Sequence, residues 1–343
     1  MNPWVYALVF CLAAASVAAL TPLAIRLGER WGLVAVPGGR RRHQGRVVRI
    51  GGLALYPGLL LATLATLGIT RDDPQELTRL TGVLLSSGLV WILGLLDDKF
   101  ELRYWAQIAG LVLPASLAIA FKVFVELFND PFTDQQIRVA WYLMVPITLT
   151  WLMGIAGTVN ALDGLDGLAT GVTAIAALVM FVQMLMLQQY TVSLLPLALL
   201  GCCLGFLPYN FHPAKIFLGG GAYLLGWALA TISIAAGAKM ASALLVFWLP
   251  LLDMLWQFYA RWRRGVPLGQ GDRGHLHLRL QDLGWPQSRI VLLYYAVTAL
   301  LGAVALFVSS RILKLGLLVM IGIVIVAALA FLSRRSTTPD RQT

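Results

Sequence analysis

Charge is the scarcest ingredient of this 343-residue chain: Asp, Glu, Lys and Arg make up 12% of it, against 59% hydrophobic residues. That is about half the charged share of an average soluble domain, and a soluble core of this size could not bury so many apolar side chains. Cysteine is scarce too. Cys11, Cys202 and Cys203 all fall in apolar runs with no CxxC or Cys/His spacing, so they read as small core residues and exclude a zinc site. No internal repeat and no Ser- or Pro-rich linker divides the chain, which predicts one membrane domain over 1–343 with a short tail at 333–343.

Long charge-poor runs are present instead. Stretches close to the roughly 20 residues that span a bilayer recur near 4–25, 51–69, 80–96, 105–121, 139–157, 168–187, 192–208, 217–236, 241–259, 290–309 and 312–332. Lipid cannot satisfy backbone N–H and C=O groups, so such spans are helices. The expectation is an all-α polytopic bundle of about eleven transmembrane helices. With the N-terminus outside, 19 of the 26 basic residues fall on the cytoplasmic side, and an odd count places the tail there as well. The formal charge of +10 is then a topology signal and an attraction to anionic lipid, not a sign of nucleic-acid binding. The location implied is a plasma (inner) membrane with its polar loops in the cytoplasm.

The acids that stand out lie at cytoplasmic helix ends. Asp97 and Asp98 close the third span in LGLLDDKFEL, and Asp163 and Asp166 follow the fifth in NALDGLDGL. Adjacent carboxylates repel unless a cation or a proton relieves them. Asp163 and Asp166 share a face if their segment is helical, with Asn160 one turn earlier. Carboxylates, an amide oxygen and room for phosphate are what magnesium requires, whereas no EF-hand pattern favours calcium. Two cytoplasmic loops supply positive charge: the Gly-rich VPGGRRRHQGRVVRIGG, which positive-inside anchoring largely explains, and GQGDRGHLHLRLQDLG. In the second, Arg273 and Arg279 suit phosphate, and His275 and His277 suit phosphate donation or general acid work. Asp253 lies inside the ninth span, where an acid is costly; its partner is Arg261, Arg263 or a neighbouring helix.

In order along the chain, LGLLDDKFEL, NALDGLDGL, NFHPAKIFLGG and DRGHLHLRL resemble the polyprenyl-phosphate N-acetylhexosamine-1-phosphate transferases, over about residues 30–285. The resemblance implies that a polyprenyl phosphate such as undecaprenyl phosphate attacks a UDP-N-acetylhexosamine with magnesium, or manganese in its place. UMP is released, cell-envelope glycan synthesis begins, and the enzyme is often a homodimer. By position it implies that Asp97 deprotonates the lipid phosphate, Asp98 places phosphate and metal, and Asn160 binds the metal. Asp163 and Asp166 face the nucleotide, Asn210 and Lys215 lead into the metal-binding helix, and Arg273, His275, His277 and Arg279 hold the diphosphate and sugar. The chain departs from the family at several positions. Where relatives read GD it reads LGGGAY at 218–223, with no acid, and Leu278 replaces a His. Ala35 stands for an Asp, Arg46 and Val48 for prolines, Gln107 for a Lys and Gly157 for an Asn. Two expectations follow: a transferase of this family, or a degenerate paralogue that keeps lipid-phosphate or nucleotide binding without turnover. A secondary transporter would place its ionisable groups near the midplane, and most acids here are at helix ends.

Overall fold

The computed structural model describes residues 1–35, 46–130, 135–237, 240–269 and 273–335. The basic stretch 36–45, Asp272 and the tail from 336, on which parts of the sequence reading fall, lie outside the described residues. Thirteen helices are found among these: α1 (Pro3–Arg30), α2 (Gly52–Leu64), α3 (Glu76–Phe100), α4 (Tyr104–Ala120), α5 (Trp141–Leu162), α6 (Leu168–Met186), α7 (Leu194–Asn210), α8 (Gly221–Ala235), α9 (Met240–Val246), α10 (Trp248–Arg263), α11 (Leu276–Asp282), α12 (Gln287–Phe307) and α13 (Arg311–Arg335). Five short strands accompany them: β1 (Val34–Ala35), β2 (Val47–Arg49), β3 (Leu127–Asn129), β4 (Gln136–Arg138) and β5 (Ile216–Phe217).

Ten of the apolar spans read from the sequence each fall on one helix; that at 241–259 falls on two. Among the described residues six helices are long and apolar enough to cross a membrane, and the bent pair α9–α10 makes a seventh candidate. The chain is a polytopic helical membrane protein. The shorter apolar helices α2, α4, α7 and α8 have 13–17 residues, about 20–26 Å at 1.5 Å per residue, less than the ~30 Å hydrocarbon core. Every residue of α8 is buried, so this helix is the axis of the bundle and meets protein on all sides.

Local chemistry sets the ends that matter here. The Asn2 side chain accepts the Trp4 N–H at 3.0 Å and caps α1. Glu101 ends α3 in the left-handed region, its N–H donating to the Asp97 carbonyl at 2.9 Å. The expected ninth span is interrupted at Phe247, where α9 and α10 meet at 76°. Pro250 has no N–H for the Val246 carbonyl, so the helical ladder fails there and a new helix starts. Cys202 and Cys203 are buried as expected, whereas Cys11 is exposed on the outer face of α1.

The helical expectation also missed two small sheets. β3 and β4 form an antiparallel hairpin between α4 and α5. In the other, β2 pairs antiparallel with β1 and parallel with β5, in the register Val48↔Ile216 and Arg49↔Phe217. This sheet fastens the segment before α2 to the segment before α8, and the Gly51 and Gly52 N–H groups extend it to the Phe217 and Leu218 carbonyls at 2.9 and 3.1 Å. Beside it, α3 crosses the start of α8 at Gly94 and Gly220. A Cβ on Gly220 would lie 2.2 Å from the Gly94 backbone, so only glycine allows that approach.

Candidate active site

The ends of α3, α5, α7 and α10, with β2 and the loop before α11, converge on one cavity of about 1080 Å³. Along α5 and the turn that follows it, its wall runs from Leu143, Pro146 and Ile147 to Asn160, Asp163 and Asp166. Seventeen residues of helix separate Leu143 from Asn160, about 25 Å, so the cavity is apolar at one end and polar at the other. The same gradient runs along α10 from Leu251 and Leu255 to Arg261. Leu143, Ile147 and Leu255 are exposed, so the apolar end opens sideways between α5 and α10.

Asp97 and Asp98 separate at the polar end, because successive side chains on a helix point about 100° apart. Asp97 is on the cavity wall. Its Oδ1 accepts the Leu102 N–H at 3.0 Å and the Gln107 Nε2 at 2.8 Å, and the Tyr223 hydroxyl donates to Gln107 Oε1 at 2.9 Å. Among the described residues Asp97 Oδ2 receives no hydrogen bond. Asp98 faces the start of α8. Its side chain is 0% exposed, both oxygens accept the Gly220 N–H at 2.9 and 3.0 Å, and Arg49 Nε stands 3.7 Å from Oδ1.

The DGLDG segment is not helical. Asp163 caps the end of α5, and a turn containing Asp166 leads through Gly167, at φ 78°, into α6. Both acids still line the cavity. Asp166 Oδ2 takes His212 Nδ1 at 2.8 Å and the Ala214 N–H at 3.2 Å. Asn210, 1% exposed, spends its amide on the Thr170 hydroxyl at 2.7 Å and the Ile216 carbonyl at 3.0 Å. It braces the wall it belongs to. Lys215 is exposed, its backbone N–H on the Tyr209 carbonyl, and its side chain is not on the wall.

The histidine loop is held by a buried polar stripe on one face of α10. Asp253, Gln257 and Arg261, four residues apart, are 3%, 0% and 6% exposed. Asp253 takes His275 Nδ1 at 3.0 Å and the Leu276 N–H at 2.9 Å, so its partner is the loop rather than an arginine of its own helix. Gln257 donates to the Gly274 carbonyl and Arg261 to the Leu268 carbonyl. His275 therefore reaches the cavity wall. His277 lies behind it, 1% exposed, stacked on His275 at 5.7 Å and edge-on to Tyr294 at 6.3 Å, with neither ring nitrogen hydrogen-bonded. Burial pushes its imidazole down to about 3. Arg273 is paired with Asp282 at 2.8 Å and with Gln281 at 2.9 Å, and Arg279 donates to the Gly274 carbonyl. Neither arginine is on the wall; Leu278 is.

The structure thus brings Asp97, Asn160, Asp163, Asp166, Asn210 and His275 to one cavity and leaves Asp98, Lys215, Arg273, His277 and Arg279 off its wall. It adds Arg49, Gln107, Tyr223 and Arg261. Arg261 was visible in principle as the third member of the buried stripe. Arg49 was hidden among basic residues that serve topology.

The donor set at the polar end bears on the expected magnesium. Asp98 is sealed against Gly220, so the pair Asn160 and Asp98 does not meet on one surface. Asn160 and Asp163, an amide oxygen and a carboxylate within one turn, are both on the wall and fit a cation that fills its other sites with phosphate and water.

The profile of the family described as "Glycosyl transferase family 4" matches residues 80–237. A "Decaprenyl-phosphate N-acetylglucosaminephosphotransferase" of Mycobacterium tuberculosis is 32% identical over 347 residues, covering 89% of this chain and 83% of the relative. A "Probable undecaprenyl-phosphate N-acetylglucosaminyl 1-phosphate transferase" of Bacillus subtilis is 28% identical, covering 92% and 88%. A "Phospho-N-acetylmuramoyl-pentapeptide-transferase" of Listeria welshimeri is 28% identical, covering 64% and 71%.

Proposed function

The chain belongs to glycosyl transferase family 4, and two of its relatives are named as transferases acting on undecaprenyl or decaprenyl phosphate; from that premise we propose that it moves an N-acetylhexosamine 1-phosphate from a UDP-sugar to undecaprenyl phosphate. The observation that carries the reading is the cavity itself. A lipid phosphate needs a groove open to the bilayer that ends among polar groups, and the wall from Leu143 to Asp163 has that order. We place the polar end at the cytoplasmic face, where the nucleotide is, in the bacterial inner membrane.

In the reaction an oxygen of the lipid phosphate forms a bond to the β-phosphorus of the UDP-sugar, and the bond from that phosphorus to the bridging oxygen breaks, its electron pair leaving with UMP. Asp97 Oδ2 is the open atom that accepts a proton from the lipid phosphate, while Leu102 and Gln107 fix its other oxygen. His275, with Nδ1 held by Asp253, offers Nε2 to the phosphates. Asn160 and Asp163 are the residues that would hold magnesium, which would supply charge neutralisation when bound. Positioning and electrostatics are most of what phosphoryl transfer asks of a protein.

The test is UMP release by purified protein from UDP-N-acetylglucosamine and other UDP-sugars, with undecaprenyl phosphate and magnesium. Release dependent on both substrates supports the proposal; none above a detergent blank with any sugar sinks it. A second reading, binding without turnover, is favoured by the turn at 218–221, which carries no acid. It predicts UDP binding by calorimetry with no UMP formed.

A further inference from the structure

We propose that Arg49 is a phosphate-binding residue of this cavity and that Asp98 is its positioning residue, not a ligand of the cation. This rests on the reading of the cavity as a phosphate-transfer site. Arg49 ends β2, whose parallel register with β5 sets it opposite Phe217, and its backbone N–H is held by the Leu33 carbonyl at 2.9 Å. The side chain is 27% exposed on the cavity wall. It is a guanidinium on a strand tied into the fold, which is how a phosphate is met by a preset donor rather than a mobile one.

Asp98 cannot serve the cavity in the same way as its neighbour. Its carboxylate is 0% exposed and off the wall, closed in by the turn that starts α8. A Cβ on Gly219, at φ 57°, would lie 2.3 Å from Asp98 Oδ1, so the turn is packed directly on the carboxylate. The Gly220 N–H occupies the inward side of both oxygens. The charged partner left to Asp98 is Arg49, at 3.7 Å. One carboxylate of the Asp-Asp pair thus faces substrate, and the other holds the turn and the arginine. Lys could replace the charge of Arg49 but not its fork.

The phosphoryl group that Arg49 meets belongs to the nucleotide or to the lipid, and two assays separate these. UDP binding is followed by calorimetry, with magnesium and with a chelator; undecaprenyl phosphate retention is followed by native mass spectrometry. Arg49→Ala should weaken one of the two by about tenfold or more, the scale of a charge-assisted hydrogen bond, and Arg49→Lys should recover part of the loss. The affected ligand names the source. Asp98→Asn should weaken the same ligand, and the double variant should be no worse than Arg49→Ala alone. The proposal is overturned if Arg49→Ala leaves both ligands within about twofold. It is also overturned if Asp98→Asn raises the magnesium concentration needed for UDP binding while binding in chelator is unchanged. Neither readout needs turnover. A protein that binds through Arg49 but releases no UMP loses the transferase proposal and keeps this one; release of UMP with Arg49→Ala unaffected does the reverse.

Discussion

Asp253→Ala should release the loop that presents His275, and the size of the effect follows from what the carboxylate holds. It accepts the Leu276 N–H at 2.9 Å and binds His275 Nδ1 at 3.0 Å, with the two side chains 4% and 10% exposed. Removing one partner of a buried pair costs about 3–5 kcal/mol. The lower figure applies here, because His275 borders a cavity that admits water. At roughly 2 °C per kcal/mol for a long chain, the melting temperature should fall by about 6 °C. Asp253→Asn keeps an amide oxygen for the Leu276 N–H and loses the charge and the second oxygen that meets His275 Nδ1, so it should fall by about half as much. Scanning fluorimetry in detergent gives the order wild type, Asn, Ala, and UMP release should follow that order more steeply, since a loosened His275 is misplaced for phosphate. The reasoning fails if the Ala variant melts within about 1 °C of wild type and turns over normally, because the dyad would then be a bystander.

Gly220→Asp, which puts an acid on the turn that starts α8, should lower the melting temperature and give no gain in UMP release: its Cβ would lie 2.2 Å from the Gly94 backbone and it would displace the N–H that Asp98 uses. A more active Gly220→Asp protein would mean that the turn relaxes. His277 predicts a pH effect. The imidazole is held down to about 3 in the folded protein against an ordinary 6.5, so unfolding takes up a proton between those values. Stability is full above 6.5 and falls as the pH drops toward 3, by up to about 1.4 kcal/mol per pH unit. His277→Leu should flatten the fall in melting temperature between about pH 7.5 and 5; an unchanged slope would assign it to other groups. Ile147→Arg, in the apolar half of the cavity, should weaken undecaprenyl phosphate retention and leave UDP binding unchanged. Equal loss of both would mean that the groove is not the lipid's path.

Helix positions were legible because apolar length is a local property, written in consecutive residues. What escaped was set by contacts between distant segments or by direction around a helix. Phe247 interrupts a run whose one charged residue is Asp253, and only Pro250, three residues on, marks the break. β2 is three residues long and pairs with residues 216 and 217, so nothing near Arg49 announces that it enters the cavity. Asp163 and Asp166 read as one helical face, yet the left-handed φ of Gly167 makes their segment a turn, and both acids reach the wall by another route. Asp97 and Asp98 carry the most consequence. Adjacency in sequence suggested two repelling carboxylates relieved by a cation or a proton, but adjacency on a helix turns two side chains to different neighbours. Asp97 meets the cavity, and Asp98 meets a turn built of Gly219, Gly220 and Gly221, at each of which an added Cβ would come within 2.7 Å of Asp98, Gly94 or Gly52. With no side chain on the turn, α8 closes onto α3 and seals Asp98 against Gly220. On the proposed reading the chemistry of the cavity falls to Asp97, Asn160, Asp163 and His275, with Arg49 and Arg261 on the same wall.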